Sequence, residues 1–157
     1  MVVYDKELER TLRARKLAFE TATREAGHDW HEIDLSRVFA EWMAADDYRD
    51  EYFVSPEDMQ LKLDAEFPEY VAESLREALR KSEVGANSVV AVLGVSSLFG
   101  FARISQILKM IETDIQGRLV VFFPGQFERN NYRLLDARDG WNYLAVPITL
   151  HGEGVNL

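Results

Sequence analysis

Two short apolar runs constrain this chain more than any other feature. Val89-Val90-Ala91-Val92-Leu93 and Leu119-Val120-Val121-Phe122-Phe123 contain no polar residue and are rich in β-branched and aromatic side chains. Each is too short for a buried helix. A strand without polar alternation must be covered on both faces, as central strands of a parallel sheet are. Between the runs, Phe101, Ile104, Ile107, Leu108 and Ile111 recur at helical spacing. Strand, helix and strand in this order predict a βαβ unit over 88–123. The expected fold class is therefore α/β: three layers, a mostly parallel sheet flanked by helices, in a P-loop- or Rossmann-like topology.

The remaining segments fit that plan. The chain has 157 residues, enough for one domain, 1–157, whose last residues, 152–157, are expected to form a loose tail. Met1 to Tyr4 reads as a strand that begins abruptly. Asp5 reads as a cap for a helix with Leu8, Leu12, Phe19 and Ala22 on its inner side, ending at Gly27. Residues 31–35 alternate as a second strand. Ser36 is placed to cap a short helix carrying Val38, Phe39, Trp42 and Met43. The acidic stretch 46–51 is expected as an exposed turn or a frayed helix end. Ser55-Pro56-Glu57-Asp58 opens a helix that Pro68 should interrupt or restart, and Val71, Leu75 and Leu79 continue it. Gly85-Ala86-Asn87 turns the chain into the βαβ unit. After it come a short strand or turn at 132–135 and a last strand at 143–150, where Pro147 predicts an edge position or a bulge.

Several chemistries are excluded or disfavoured. The chain has no cysteine, so it has no disulfide, no thiol nucleophile and no Cys-ligated zinc. The net charge of -9 sets an overall field that repels nucleic acid and anionic membranes. No apolar run is long enough to span a bilayer, and the N-terminus lacks the basic and apolar regions of a secretion signal. The expected location is the cytoplasm, with no membrane contact and nucleic acid met only indirectly.

Ligands of open α/β sheets bind beyond the carboxyl ends of the strands. Two segments stand there: Gly94-Val95-Ser96-Ser97-Leu98-Phe99-Gly100, and Pro124-Gly125-Gln126-Phe127-Glu128. The candidate ligand or partner loop is Gly94, Ser96, Ser97, Gly100, Arg103, Pro124 and Gly125. The first segment has the outline of a phosphate loop, but Phe101 and Ala102 follow Gly100 where lysine and Ser or Thr are required, and the glycines are one residue too far apart. It is not a Walker A motif. Ser96 lacks the final glycine of a nucleophile elbow, with Leu98 in its place; its only downstream histidine is His151, with Asp136 or Asp139 as orienting acids. Ser96 and Ser97 are better read as caps of the following helix, and Arg103 as lying one turn into it. Asp136, Arg138, Asp139 and Gly140 read as a turn before a strand. His28 and His31, with Asp29, Glu32 and Asp34, straddle a helix end and a strand start, which is poor metal-site geometry. No catalytic residue, metal or cofactor is assigned.

The same residues carry a family resemblance. The segment from Val92 through Gly94, Phe99, Gly100 and Arg103 to Ser105 resembles the glycine-loop region of the BrxB family. So do Leu119 to Gly125, Tyr132 to Asp136, and Trp141 to Ile148. The resemblance covers roughly 88–149, and beside the family the chain looks short at its N-terminus. These are small bacterial proteins encoded in BREX phage-defence operons, whose products together block phage DNA replication and methylate host DNA. The resemblance implies a non-catalytic accessory component that binds other BREX proteins, the phosphatase-like protein or the large ATPase. No catalytic residue is carried over. The alternative is a degenerate phosphate-loop protein binding a nucleotide or nucleic-acid phosphate after Leu93.

Overall fold

The strand Ser88–Leu93 (β3) is buried at every residue, as an unbroken apolar run requires, and it organises the rest of the sheet. A computed structural model of the chain describes residues 1–135 and 145–150. The other strands are Val2–Tyr4 (β1), Asp29–Asp34 (β2), Arg118–Glu128 (β4), Asn131–Leu134 (β5) and Ile148–Leu150 (β6). They form a six-stranded sheet in the order β2-β3-β4-β1-β6, with β5 paired to the far end of β4. Every pairing is parallel except β4 with β5. The sheet confirms the expected α/β class with a mostly parallel sheet.

Among the described residues the α-helices are Glu9–Glu25 (α1), Val38–Ala44 (α2), Arg49–Val54 (α3), Gln60–Leu79 (α4) and Ile104–Met110 (α5). The period of two along β3 sorts its side chains between two cores. Val90 and Val92 join Phe67, Val71 and Leu75 of α4 and Ile104, Ile107 and Leu108 of α5. Val89, Ala91 and Leu93 join Leu12 of α1, with Trp30 and Phe122. Strands β1 and β4 divide the same way, with Val3 and Phe123 on the α4 side and Val2, Tyr4 and Phe122 on the α1 side.

The opening strand is central. β1 lies between β4 and β6 and pairs Val2 with Phe122 and with Ile148. β6 lies at the sheet edge, but the strand expected over 143–150 covers only 148–150 among the described residues, so Pro147 directly precedes it and does not lie within it. α1 ends as expected: the Gly27 and His28 amides donate to Arg24 O and Thr23 O, and Gly27 takes φ +81°. Its inner face is narrower than the spacing suggested, since Ala22 is exposed and only Leu12 is fully buried.

Several expectations give way to the tertiary context. Pro68 does not interrupt α4; the helix runs through it, with the ring in the buried face beside Phe67 and Val71. A proline in a helix costs about 3 kcal/mol, and burying seven α4 side chains against the sheet outweighs that. The acidic stretch 46–51 is not a turn throughout, because α3 begins at Arg49. Ser36 does not cap α2; its amide and hydroxyl both donate to Asp34 Oδ1, at 2.9 and 2.6 Å. The phosphate-loop-like segment does not lead straight into an α-helix: a 3₁₀ turn, Val95–Leu98, intervenes, and α5 starts only at Ile104. Pro124 and Gly125 are not in a loop. β4 continues through both to Glu128 and turns back into β5. The turn residues Arg129 and Asn130 have φ +49° and +68°, the backbone of a type I′ hairpin.

Candidate functional site

The carboxyl ends of β2 and β3 are stitched together. Gly94 leaves β3 with φ +73°, and a Cβ there would stand 2.5 Å from Asp34 Oδ1, Ser36 N and Ser36 Oγ. Leu35 N donates to Leu93 O at 2.9 Å, and Ser97 Oγ donates to Leu35 O at 2.6 Å and Gly94 O at 2.8 Å. Ser97 therefore ties two loops together and does not cap α5, whose N-cap residue is Arg103 with no side-chain cap. Ser96 is half-buried in the 3₁₀ turn and caps nothing either.

The backbone of the glycine loop is turned inward. The Ser97 amide donates to Gly94 O, Phe99 to Ser96 O, and both Phe101 and Ala102 to Leu98 O, at 2.9 to 3.1 Å. A phosphate loop works by presenting free amides to the anion; these amides are already engaged. Gly100 has φ +83° and open space around its Cα, so its role is conformational.

Beneath this corner, Arg13 of α1 donates to Glu9 Oε1 at 2.6 Å, to Asp34 Oδ2 at 2.7 Å and to Ser36 Oγ at 2.7 Å. Burial by itself would raise the Asp34 carboxyl, but the hydrogen bonds from Arg13 and Ser36 outweigh it and hold the pKa at about 2. Tyr4 hydrogen-bonds the Glu9 carboxylate. Burial, then that carboxylate, raises the Tyr4 phenol above its ordinary value. At the start of α1, Asp5 Oδ1 accepts from Glu7 N at 2.9 Å. Three carboxylates, Asp5, Glu7 and Glu9, thus stand where the strand β1 meets its helix, and their negative charge disfavours a bound phosphate there.

Beyond the glycine loop lies an open hollow of about 430 Å³ between α4 and α5, lined by Leu63, Asp64, Pro68, Gly100, Arg103 and Gln106, with Phe101 and Ala102. Arg103 is exposed at its mouth and Phe99 is 45% exposed beside it. Phe101 turns the other way and stacks on Phe39 of α2, ring centroids 4.1 Å apart and 5° from parallel. This corner presents an aromatic ring and a guanidinium, the kinds of group that anchor protein contacts, at the edge of a mostly polar hollow.

The remaining sequence candidates are placed apart. Pro124 is buried and contributes only its carbonyl, which accepts from Leu135 N at 2.9 Å. At Gly125 a Cβ would stand 2.0 Å from Arg133 O, so the glycine serves hairpin closure. Neither reaches the hollow. His28 Nδ1 lies 2.8 Å from Asn87 Oδ1, and His31 Nε2 is buried with no hydrogen-bond partner among the described residues. Among the described residues no group of three or more His, Asp or Glu is placed to hold a metal, and no helix is long and apolar enough to cross a membrane. Asp136, Arg138, Asp139, Gly140 and His151 lie outside the described residues. Sequence reading missed the hairpin and the role of Asp34. Alternation of Phe123, Gly125 and Phe127 against Tyr132 and Leu134 was the available signal for the first. Nothing local signalled the second, because Arg13 is distant in sequence.

The family model described as BREX protein BrxB matches residues 31–148, most of the chain. No curated protein and no solved structure matches it.

Proposed function

We propose that this chain, which belongs to the BrxB family, serves BREX phage defence as a non-catalytic assembly subunit that binds other BREX proteins through the face beyond its glycine loop. The observation that carries this reading is the state of the loop itself. Its amides at Ser97, Phe99, Phe101 and Ala102 are engaged by carbonyls of the same segment, while Phe99 and Arg103 project outward. Loop chemistry of this kind supports surface recognition better than phosphate transfer. The phosphatase-like protein and the large ATPase are the proposed partners.

The test is co-purification of the tagged chain from cells expressing the whole operon, with partners identified by mass. Recovery of one of these two proteins, reduced at least tenfold by Phe99→Ser with Arg103→Glu, is the expected result. Recovery of neither defeats the assembly reading. Binding of a nucleotide at the glycine loop would also count against it: at a hundredfold excess over its dissociation constant a ligand adds about 2.7 kcal/mol of stability, so ATP is expected to leave the melting temperature unchanged.

A further inference from the structure

The least covered apolar surface of the molecule lies on α3 and its neighbours. α3 has six residues and buries none of them. Phe53 is 75% exposed and Val54 84% exposed. A helix this short does not persist on its own hydrogen bonds; its inner contact is Tyr52, packed at the edge of the main core. Between α2 and residues 49–59 runs a groove of about 600 Å³, walled by Phe39, Met43, Tyr52, Phe53, Met59 and Phe101. Its floor is continuous with the Phe39–Phe101 stack, and so with the glycine-loop corner.

The segment that carries α3 is mostly acidic, although the one charged side chain lining the groove itself is Arg49. Asp47, Asp50, Glu51, Glu57 and Asp58 are all exposed on the segment that carries α3. Two bases there are already engaged: Arg49 donates to Ala44 O at 3.0 Å and pairs with Asp50 at 3.7 Å, and Lys62, over the Tyr52 ring, pairs with Asp46 at 2.6 Å. On the other side of α3 a second hollow, about 460 Å³, is lined by Asp50, Glu51, Val54, Ser55 and Asp58. An apolar groove beside an acidic hollow is complementary to a segment with apolar anchors on one side and lysine or arginine beside them. A second copy of this chain would set acidic rim against acidic rim. Nucleic acid and anionic membranes are repelled for the same reason.

We propose that this groove seats an amphipathic, lysine- or arginine-bearing segment of another protein of the same defence system. The proposal rests on the assembly reading and names the partner's chemistry.

Two measurements on the full chain in cells expressing the operon test it. Co-purification compares wild type with Asp50→Lys/Glu51→Lys/Asp58→Lys and, separately, with Phe53→Ser, all confirmed as folded by circular dichroism. Photocrosslinking uses Phe53→p-benzoylphenylalanine, with the crosslinked peptide sequenced. The expected results are at least tenfold lower partner recovery for both variants, and a crosslink to a peptide with apolar residues at helical spacing and an excess of Lys and Arg. If wild type recovers partners and both variants recover them equally, the groove proposal fails and the assembly reading stands. A crosslink to an acidic peptide, to a second copy of this chain, to lipid or to nucleic acid, or no crosslink, overturns the groove proposal likewise. If wild type recovers no BREX protein, both fail.

Discussion

Replacing Gly94 by alanine tests what the glycine loop is for. Gly94 has φ +73°, so any L-residue there adopts a left-handed backbone, at a cost of about 1–2 kcal/mol. The added methyl also meets Asp34 Oδ1, Ser36 N and Ser36 Oγ, each at 2.5 Å. None of the three yields readily. The Asp34 carboxylate is held by Arg13 at 2.7 Å, and the Ser36 amide is backbone bonded to that same carboxylate. Overpacking of this sort adds about 1–3 kcal/mol. The total is about 2–5 kcal/mol, which at this chain length lowers the melting temperature by about 6–15 °C. Gly100→Ala is the matched control. Its φ is +83°, but its Cβ would meet nothing within 4 Å. It therefore carries the backbone cost alone, about 3–6 °C. Both substitutions share the same unfolded-state entropy gain, so their difference isolates the contact with β2 and Ser36. Thermal unfolding followed by circular dichroism reads it out. A Gly94→Ala variant that melts no lower than Gly100→Ala refutes the packing role and returns the glycine loop to ligand chemistry.

Three further outcomes are expected. Phe67 is fully buried, with ring centroids 5.5 Å from Phe39 and 5.1 Å from Trp42; Phe67→Ala should cost about 3–5 kcal/mol by urea titration, and a cost under 1 kcal/mol would mean that the α2–α4 packing is wrongly assigned. The Asp34 carboxyl is depressed to about 2 in the folded chain, against about 3.9 unfolded. The unfolded chain binds the extra proton between those values, so stability from this group is complete above about pH 4 and lost as pH falls toward 2. Because Asp34 is about half exposed, solvent screens the effect; the readout is the slope of stability between pH 4 and 2, which Arg13→Gln should flatten, and an unchanged slope counts against the pairing. Arg129 and Asn130 occupy left-handed backbone in the β4–β5 turn; Arg129→Asn with Asn130→Gly should stabilise the chain by about 1 kcal/mol, and a lowered melting temperature would argue against a type I′ turn.

The two apolar runs determined most of what was readable in advance. A run such as Val89 to Leu93 has only one environment that suits it, and β3 occupies that environment at every residue. Local signals with a single physical solution were legible for the same reason: Gly27 as a helix stop and the strand at Met1 to Tyr4. Residues whose role depends on a distant partner were not readable. Pro68 reads as a helix breaker until the sheet packed beneath α4 compensates for it. Pro124 and Gly125 read as a loop until β1 pairs with the first and β5 folds back to pair with the second. Ser97 reads as a helix cap until Leu35 supplies a nearer acceptor. The sequence alone showed that Phe101 and Ala102 stand where a phosphate loop needs lysine and a hydroxyl. Only the tertiary structure decided how the loop's amides are engaged, that Gly94 is packed against β2, and that apolar and acidic side chains of the segment 46–59 gather on one uncovered surface. Periodicity and turn chemistry act within a few residues and so are written along the chain. Contacts between loops are set by how the sheet brings distant segments together, and no local pattern encodes them.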